Sequence, residues 1–373
     1  MSFGDERRIP ARWVRGRGSA DNPANRFERS RVESDPDADD PDLALPPGRP
    51  ATTFLPDRSR TIVATNNSPD LPFDASLNPY RGCEHGCSYC YARPTHEYLG
   101  FSAGLDFETR ILVKHDAPGL LRKTLMSPAW KPRQIALSGV TDPYQPGERK
   151  LRLTRQCLEV LAEFRNPLSI VTKNALVTRD LDVLSELASV GGVVVFLSIT
   201  TLDAALARTL EPRTSPPERR LWALSRLAEA GIPVGVMVAP VIPGLNDHEI
   251  PAILREAATA GARHADWIPL RLPGAVAPLF EAWLDEYQPG RKEKVLSRIR
   301  SMRGGKLNDS RFGERMRGEG ELNGVIARLF RTSCRREGLN DERLVLRADA
   351  FRRPEGHAEG REESTSRQMR LFD

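Results

Sequence analysis

The chain has 373 residues, of which 55 are basic and 50 acidic, and its formal net charge is +5. Apolar residues make up 39% of it, enough for a sizeable core in one large domain or two ordinary ones. It has no apolar run long enough to cross a bilayer and no apolar stretch of the secretory type near residue 1, so neither a membrane partner nor secretion is expected. We predict a cytoplasmic protein, and the mild basic excess is by itself weak evidence for nucleic-acid binding.

Both ends of the chain are poor in apolar residues. Residues 1–50 mix charge with proline and show almost no apolar periodicity, so they cannot bury enough surface to offset the entropy of ordering them. The same argument applies to residues 349–373. We predict a disordered tail at each end and an extended lead-in over residues 51–76. The first tail carries a basic cluster, for which solvation is the main expectation and nucleic-acid contact the alternative: Arg7, Arg8, Arg12, Arg15 and Arg17.

From residue 77 onward, short apolar runs alternate with amphipathic stretches of helical length, which is the pattern of βα units. Six strands are predicted, at Leu77–Arg81, Gln134–Gly139, Leu168–Thr172, Val193–Thr200, Val234–Pro240 and Trp267–Leu272. Six helices are predicted, at Ala117–Met126, Leu153–Phe164, Asp180–Val190, Pro217–Ala230, Asp247–Ala260 and Val276–Tyr287. The order predicts an α/β fold, a partial (β/α)6 barrel of the TIM type over residues 77–288.

The strands end before residue 289, and a helical extension is predicted over residues 289–348. Its two helices are Lys292–Met302 and Leu322–Glu337, joined by the polar, glycine-rich link 303–320. The link is either a solvated connector or a lid that lays arginines over the barrel mouth or a phosphate-bearing substrate. The segment Arg110–Lys114 is an extra strand or loop whose place the sequence does not fix.

Three of the five cysteines lie within eight residues, at Cys83, Cys87 and Cys90. Thiolates are soft ligands that suit iron–sulfur clusters and zinc. A cubane [4Fe–4S] cluster needs four ligands, so three cysteines leave one iron open to a ligand from outside the protein. The alternatives are a structural zinc site, which needs a fourth ligand although His85 lies at an unusual spacing, and buried free thiols.

The pattern Cys-x3-Cys-x-aromatic-Cys, with Tyr89 at the aromatic position, resembles the signature of the radical SAM superfamily. The resemblance implies that the three cysteines hold a [4Fe–4S] cluster whose open iron binds S-adenosyl-L-methionine. It also implies that one electron, supplied by a donor of the flavodoxin or ferredoxin type, cleaves that cofactor to a 5′-deoxyadenosyl radical. The fold implied is the partial barrel that the strand pattern predicts.

Polar residues follow successive predicted strands, at the end of the barrel where ligands bind in parallel βα folds. The stretch Thr141-Asp142-Pro143-Tyr144 resembles the spore photoproduct lyase-like branch, also called DNA repair photolyase-like, and a plain turn is its alternative. By resemblance, Asp142 accepts from the methionyl ammonium, Arg213 pairs with the cofactor carboxylate, and Ser198 or Thr200 binds ribose. The end of the fifth strand would contact adenine, although a plain core strand would look the same. The expected cofactor-binding residues are Tyr89, Ser138, Thr141, Asp142, Lys173, Ser198, Thr200, Arg213, Val238 and Ala239.

A hydrogen-donating cysteine inside the barrel would be needed for true photoproduct lyase activity. Cys157 lies in a predicted amphipathic helix and is expected to be a small core residue instead, so that activity is not expected. The leading hypothesis is a radical SAM enzyme that abstracts hydrogen from an unidentified substrate, with nucleic acid as one candidate and Arg271 as the expected substrate contact. Alternatives are a radical SAM enzyme that modifies peptide or RNA, and a non-catalytic metal-binding nucleic-acid module.

The last residues, Gln368 to Phe372, place apolar side chains at the end of a polar tail. They resemble the Gln-Leu-x-Leu-Phe peptide by which bacterial repair and replication proteins bind the DNA sliding clamp, with Met369 in place of leucine. A short motif also arises by chance. A clamp partner would favour DNA as the substrate.

Overall fold

Six parallel strands lie side by side in chain order in the computed structural model, which describes residues 14, 16–28, 51–137 and 139–354. The strands are β1 Thr53–Pro56, β2 Val63–Thr65, β3 Ala75–Leu77, β4 Tyr80–Arg81, β5 Arg110–Val113, β6 Ile135–Leu137, β7 Leu168–Thr172, β8 Val193–Ser198, β9 Val234–Val241 and β10 His264–Pro269. The helices are α1 Leu105–Thr109, α2 Ala117–Met126, α3 Glu148–Leu151, α4 Leu153–Phe164, α5 Leu181–Ser189, α6 Ala204–Leu210, α7 Pro217–Glu229, α8 Ile250–Thr259, α9 Val276–Tyr287, α10 Lys292–Ser301, α11 Glu314–Arg317 and α12 Gly320–Arg336.

The main sheet has the order β10-β9-β8-β7-β6-β3-β2, and only β2 runs antiparallel to its neighbour. The six parallel strands therefore follow one another in sequence, which is the strand order of a partial (β/α)6 barrel, as predicted. Each parallel pair is joined by a crossover that contains a helix. All six strands end on the same side of the sheet, and this side forms the barrel mouth.

The core forms between the sheet and the helices that cross over it. In β8 the successive residues Val193, Val194 and Val195 are all buried, and because they alternate between the two faces, the strand is covered on both. In α4 the residues Cys157 and Leu161 lie one helical turn apart on the buried face. Cys157 is completely buried, so the prediction that it is a core residue is confirmed.

The predicted first strand is divided in two. Ala75–Leu77 joins the main sheet, whereas Tyr80–Arg81 pairs antiparallel with β5 in a second sheet of order β1-β5-β4. The segment around Arg110, whose place the sequence left open, is the middle strand of this small sheet. The small sheet therefore flanks the cysteine stretch, since β4 ends two residues before Cys83.

Both predicted tails contain ordered parts. Residues 16–28 pack against the segment that precedes β5, with Ser19 fully buried and Asn25 nearly so. At the other end, Phe351 packs near Phe164 at a ring distance of 6.2 Å. These contacts correct the prediction of disorder for 16–28 and 349–354. The rest of both tails, with the basic residues before Arg17 and the peptide Gln368–Phe372, lies outside the described residues.

The extension crosses one edge of the sheet. Helix α12 packs on α8, and the ring of Phe330 lies 6.1 Å from that of Trp267 in β10. The side chain of Asn340 donates to the carbonyl of Ala265 at 2.8 Å and accepts from its N–H at 2.9 Å, so it covers the free edge of β10. Within the part of the chain that the structure describes, no helix is both long and apolar enough to cross a membrane.

Candidate metal centre

Cys83, Cys87 and Cys90 lie in one loop that follows β4, and all three are free thiols. Cys83 and Cys87 are buried and Cys90 is partly exposed. Burial raises the pKa of each thiol, and the Asp142 carboxylate raises that of Cys83 further. The thiols are therefore protonated before a metal binds, and loading must release their protons.

The donor set fits an iron–sulfur cluster. The cysteines lie close enough to influence one another, since each of Cys87 and Cys90 raises the pKa of Cys83. Over the described ranges, no three His, Cys, Asp or Glu side chains converge as ligands of a single ion. A cluster does not require that convergence, because each thiolate binds a different iron. Three soft ligands on one loop are thus suited to three irons of a cubane.

His85, the residue that a zinc site would have needed, uses both ring nitrogens within the protein. Its Nε2 lies 3.1 Å from Asn174 Nδ2, and its Nδ1 lies 3.4 Å from Asp142 Oδ2. The Oδ1 of Asn174 already accepts from Leu176 and Ser215, so its amide nitrogen is the donor to Nε2. The proton of the neutral ring is then on Nδ1, which donates to Asp142. His85 therefore holds the loop and is not placed as a fourth ligand.

Glu84 is fixed just as tightly. Its N–H donates to Gln145 Oε1 at 2.9 Å, and its carboxylate accepts from Thr52 at 2.8 Å. Arg213 lies 3.2 Å from the same carboxylate. The structure thus pairs Arg213 with the cysteine loop, and its predicted contact with the carboxylate of the cofactor stays a prediction.

The carbonyl of Cys87 is held by a buried arginine that the sequence analysis did not single out. Arg93 donates from Nε and Nη2 to this oxygen at 3.0 and 2.9 Å. Its Nη2 also lies 2.6 Å from Glu108 Oε1, and both side chains are fully buried. A buried ion pair is stable only when hydrogen bonds complete it, and the cysteine loop supplies them here.

A second charged network lies behind the loop, and Tyr89 belongs to it. The Tyr89 hydroxyl donates to Glu211, whose carboxylate also contacts Lys173 Nζ at 2.9 Å and the guanidinium of Arg220. Burial alone would raise the pKa of Glu211, but Arg220 and Lys173 outweigh it and hold that pKa well below its usual value. Burial and the charge of Glu211 raise the pKa of Tyr89. Glu211 is therefore an anion that joins the loop to the strand ends.

Lys173 brings the ends of three strands together. Its Nζ donates at 2.9 Å to Ser198, to Thr200 and to the carbonyl of Ala239. These are the residues predicted to bind ribose and adenine, and the structure does place them in one cluster. Val238, in contrast, is almost fully buried within β9. Ser138 lies outside the described residues.

Asp142 has no free acceptor position for the ammonium of a cofactor. One oxygen accepts from the N–H of Tyr144 and the hydroxyl of Thr172, and the other accepts from the N–H of Lys173 and from His85. Four donors fill the acceptor positions of a carboxylate. Burial raises the pKa of Asp142, but His85 and these hydrogen bonds outweigh it, so the net shift is downward. Its neighbour Thr141 donates to the carbonyl of Gly82 at 2.7 Å. Both residues fix the loop in this structure.

Arg271 lies at the barrel mouth directly beside the cysteine loop. Its Cζ is 5.3 Å from the ring centre of Tyr91, which follows Cys90, and its Nη1 is 3.0 Å from the sulfur of Met316. Burial lowers the pKa of Arg271, and Arg315 lowers it further. Because Met316 belongs to the predicted link 303–320, this link reaches the barrel mouth. Its Arg303 donates to the carbonyl of Leu270 at 3.0 Å.

Comparisons with known sequences identify a family and several uncharacterized relatives. A sequence model of the Radical SAM superfamily matches residues 77–257. An uncharacterized protein of Mycobacterium bovis is 39% identical over 238 residues, which are 63% of this chain and 69% of that protein. One from Methanocaldococcus jannaschii is 33% identical over 173 residues, 46% of this chain and 62% of that protein.

The fold is similar to solved structures of spore photoproduct lyase. A mutant of that enzyme has a TM-score of 0.56 at 19% identity, covering 77% of this chain and 80% of the other. Another such structure holds a dinucleoside spore photoproduct, with the same score and coverage.

The chain belongs to the radical SAM superfamily. It is therefore a radical SAM enzyme, and the cofactors of this superfamily are a [4Fe–4S] cluster and S-adenosylmethionine. Cys83, Cys87 and Cys90 are the residues that fit the cluster. Such enzymes also need an electron donor. The substrate and the roles of the other residues are not given by the family.

Proposed function

We propose that this enzyme abstracts a hydrogen atom from a nucleic acid bound at the barrel mouth. The observation that supports it best is the pair formed by Tyr91 and Arg271 beside the cluster loop. Tyr91 is 49% exposed although it adjoins a cluster cysteine, and its hydroxyl donates to the carbonyl of Gly139 at 2.6 Å. An exposed aromatic ring under a guanidinium is a surface on which a nucleobase can stack.

Positive charge is concentrated around that pair. Burial lowers the pKa of Arg271 and the charge of Arg315 lowers it further, although Asp70 opposes them. Burial and the charge of Arg271 likewise lower the pKa of Arg303. The Nε of Arg271 is buried and has no hydrogen-bond partner among the described residues. A phosphate would supply an acceptor and a negative charge, and a base edge would supply an acceptor alone.

When bound, the cluster and S-adenosylmethionine supply the radical that removes the hydrogen atom. The residues of the chain hold and orient the reactants. The three cysteines bind the cluster, and the Lys173 network presents hydroxyls and a carbonyl at the strand ends to the polar parts of the cofactor. Tyr91 and Arg271 orient the substrate, and the link 303–320 limits the access of water to the mouth.

Two further features agree with a DNA substrate. The structurally similar spore photoproduct lyase has been solved with a dinucleoside photoproduct, and the chain ends in a peptide that resembles a clamp ligand. Residues 364–373 as a synthetic peptide should bind the sliding clamp with a Kd on the order of micromolar. Replacing Leu371 and Phe372 with alanine should abolish this binding. Absence of binding by the wild-type peptide would exclude the sliding clamp as a partner of this segment.

The electron donor is proposed to be a flavodoxin or ferredoxin, and the reducing cytoplasm is the compartment that suits both the donor and the thiolates.

The direct experiment is a cleavage assay with the reconstituted enzyme, dithionite and S-adenosylmethionine. Single-stranded, duplex and ultraviolet-irradiated DNA, an RNA of the same sequence and a mixed peptide library are added separately. We expect a DNA oligonucleotide to raise 5′-deoxyadenosine formation, and Arg271→Ala to lose this increase while cleavage without substrate remains. Stimulation by peptide alone would contradict the proposal and favour the peptide-modifying alternative. Stimulation by RNA alone would agree with a nucleic-acid substrate but favour the RNA-modifying alternative over DNA.

A further inference from the structure

We propose that residues 16–28, here named the N-terminal strap, form an outer wall of the cluster site and control how readily a bound cluster is lost. The strap is separated from the cysteines by more than fifty residues of sequence, yet its backbone lies directly against the cysteine loop. The inference rests on the cluster site and not on the proposed substrate.

The strap is anchored along its length to the segment that leads into α1. The N–H of Leu105 donates to the carbonyl of Asp21 at 3.0 Å. The amide of Asn25 donates to the carbonyls of Glu97 and Phe101 at 2.9 and 3.0 Å. Ser102 donates from its hydroxyl to the carbonyl of Pro23 at 2.6 Å. These bonds are specific and partly or fully buried, so the strap has one defined position.

The closest approach joins two glycines. A Cβ atom on Gly18 would lie 1.6 Å from the carbonyl oxygen of Gly86, and one on Gly86 would lie 2.4 Å from Oε2 of Glu108. Because real Cβ contacts are never so short, no side chain fits at Gly18 unless the two backbones separate, and none fits at Gly86 unless the Glu108 carboxylate moves. Strap and cysteine loop therefore pack backbone to backbone, immediately before the ligand Cys87.

Hydrogen bonds connect the strap to Cys87 indirectly, through Glu108 and Arg93. The N–H of Gly18 donates to Glu108 Oε2 at 3.1 Å, and Arg17 donates to the carbonyl of Glu108 at 3.0 Å. Glu108 pairs with Arg93, which in turn holds the carbonyl of Cys87. Without the strap, the buried Glu108 loses one donor and becomes open to water on that side. The strap thus completes the buried ion pair that fixes the middle cysteine.

The strap should affect the retention of a bound cluster more than the stability of the barrel. Opening of the cysteine loop exposes the cluster to a chelator, and opening requires the strap to leave Gly86 and Glu108. The rate of iron release under native conditions therefore reports on the strap, and the measurement needs neither substrate nor turnover.

The test measures iron release from reconstituted full-length protein to bathophenanthroline under anaerobic conditions. Gly18→Ala should release iron about ten-fold faster than the wild type, or load less iron, because the loop must move to admit the methyl group. The matched control is Gly119→Ala in α2, where a Cβ meets nothing within 4 Å. It should behave like the wild type.

A second variant keeps the test decisive if Gly18→Ala fails to load. Asn25→Ala removes two anchoring bonds of the strap and leaves every contact of Gly86 in place, so it should load fully and release iron several-fold faster. Leu254→Ala, on the buried face of α8, should lower global stability without a matching increase in release. Release at the wild-type rate from Asn25→Ala and from loaded Gly18→Ala would overturn the proposal. So would an equal acceleration in Leu254→Ala.

Discussion

The Nζ of Lys173 lies 2.9 Å from a carboxylate oxygen of Glu211, and this buried ion pair joins the end of β7 to the loop that precedes α7. Glu211 is fully buried and also binds Arg220 and the hydroxyl of Tyr89. One carboxylate therefore balances two cations directly behind the cysteine loop. Its removal has consequences for both stability and the cluster.

Glu211→Gln should destabilise the protein by roughly 3–5 kcal/mol, because it leaves buried cations without a counter-charge. Urea unfolding of the apo-protein measures the change. The control is Glu159→Gln, since Glu159 is half exposed and pairs with Arg155 on the surface of α4. It should cost less than about 1 kcal/mol. Equal effects of the two substitutions would contradict the importance of the buried network.

The contribution of Glu211 to stability should depend on pH in a defined direction. Arg220 and Lys173 hold its pKa in the folded protein below the ordinary value of 4.5, even though burial opposes them. Its stabilising effect is therefore present above pH 4.5 and is lost as the pH falls through the lower, folded-state pKa. The difference in unfolding free energy between wild type and Glu211→Gln should be constant from pH 7 to about 5 and shrink below that. A difference that disappears by pH 6 would show that Glu211 is not held as an anion.

The two classes of cysteine should respond differently to the same substitution. Cys87→Ala should lose most of its iron after reconstitution, because two thiolates cannot hold the cubane in a defined site. Cys157→Ala should keep its full iron content and lose about 1–2 kcal/mol of stability, since it leaves a small cavity in the core. Iron analysis and urea unfolding measure the two effects. Retention of a full cluster by Cys87→Ala would contradict the ligand assignment.

The link 303–320 should be protected from proteolysis by its ion pair with the turn before β3. Arg315 Nε lies 2.6 Å from Asp70 Oδ2, and the N–H of Gly313 donates to the other oxygen at 2.6 Å. Asp70→Ala should therefore expose the link, and chymotrypsin should cut after the exposed Phe312 several-fold faster. Arg315→Ala should do the same, and the double variant should add little.

Arg311→Ala is the control for the link, because Arg311 pairs with Asp309 in the same segment. It should leave the rate of cleavage near that of the wild type. If all three substitutions act alike, the link is a loosely held connector, which was the other interpretation of its sequence.

The barrel could be predicted from the sequence because its signals are local. The bounds of α2, α4 and α9 agree with the predicted ones, since apolar spacing alone defines an amphipathic helix. Gly231 follows α7 with a φ of +73°, the left-handed conformation in which glycine commonly ends a helix. The cysteine motif predicted the cluster ligands, because the type and the spacing of the ligands both lie within one short stretch of sequence.

The surroundings of the motif could not be predicted in the same way. Asp180, just before α5, pairs with Arg179, and Ser215, just before α7, donates to Asn174. Tyr89 contacts Glu211, and Glu211 pairs with Arg220, only after the chain has folded. No local sequence pattern predicts such a long-range contact. The N-terminal strap is held by a close contact between glycines and by hydrogen bonds of polar side chains and carbonyls, for which apolar periodicity gives no signal.

The central claim is that this radical SAM enzyme takes a hydrogen atom from nucleic acid at the mouth formed by Tyr91 and Arg271. The most direct test is to give the reconstituted enzyme a DNA oligonucleotide that is deuterated at carbon, together with dithionite and unlabelled S-adenosylmethionine. Mass spectrometry should then detect 5′-deoxyadenosine that carries deuterium, and Arg271→Ala should lose this label while still forming the unlabelled product. Unlabelled 5′-deoxyadenosine from the wild-type enzyme with every oligonucleotide tested, irradiated DNA included, would contradict the claim.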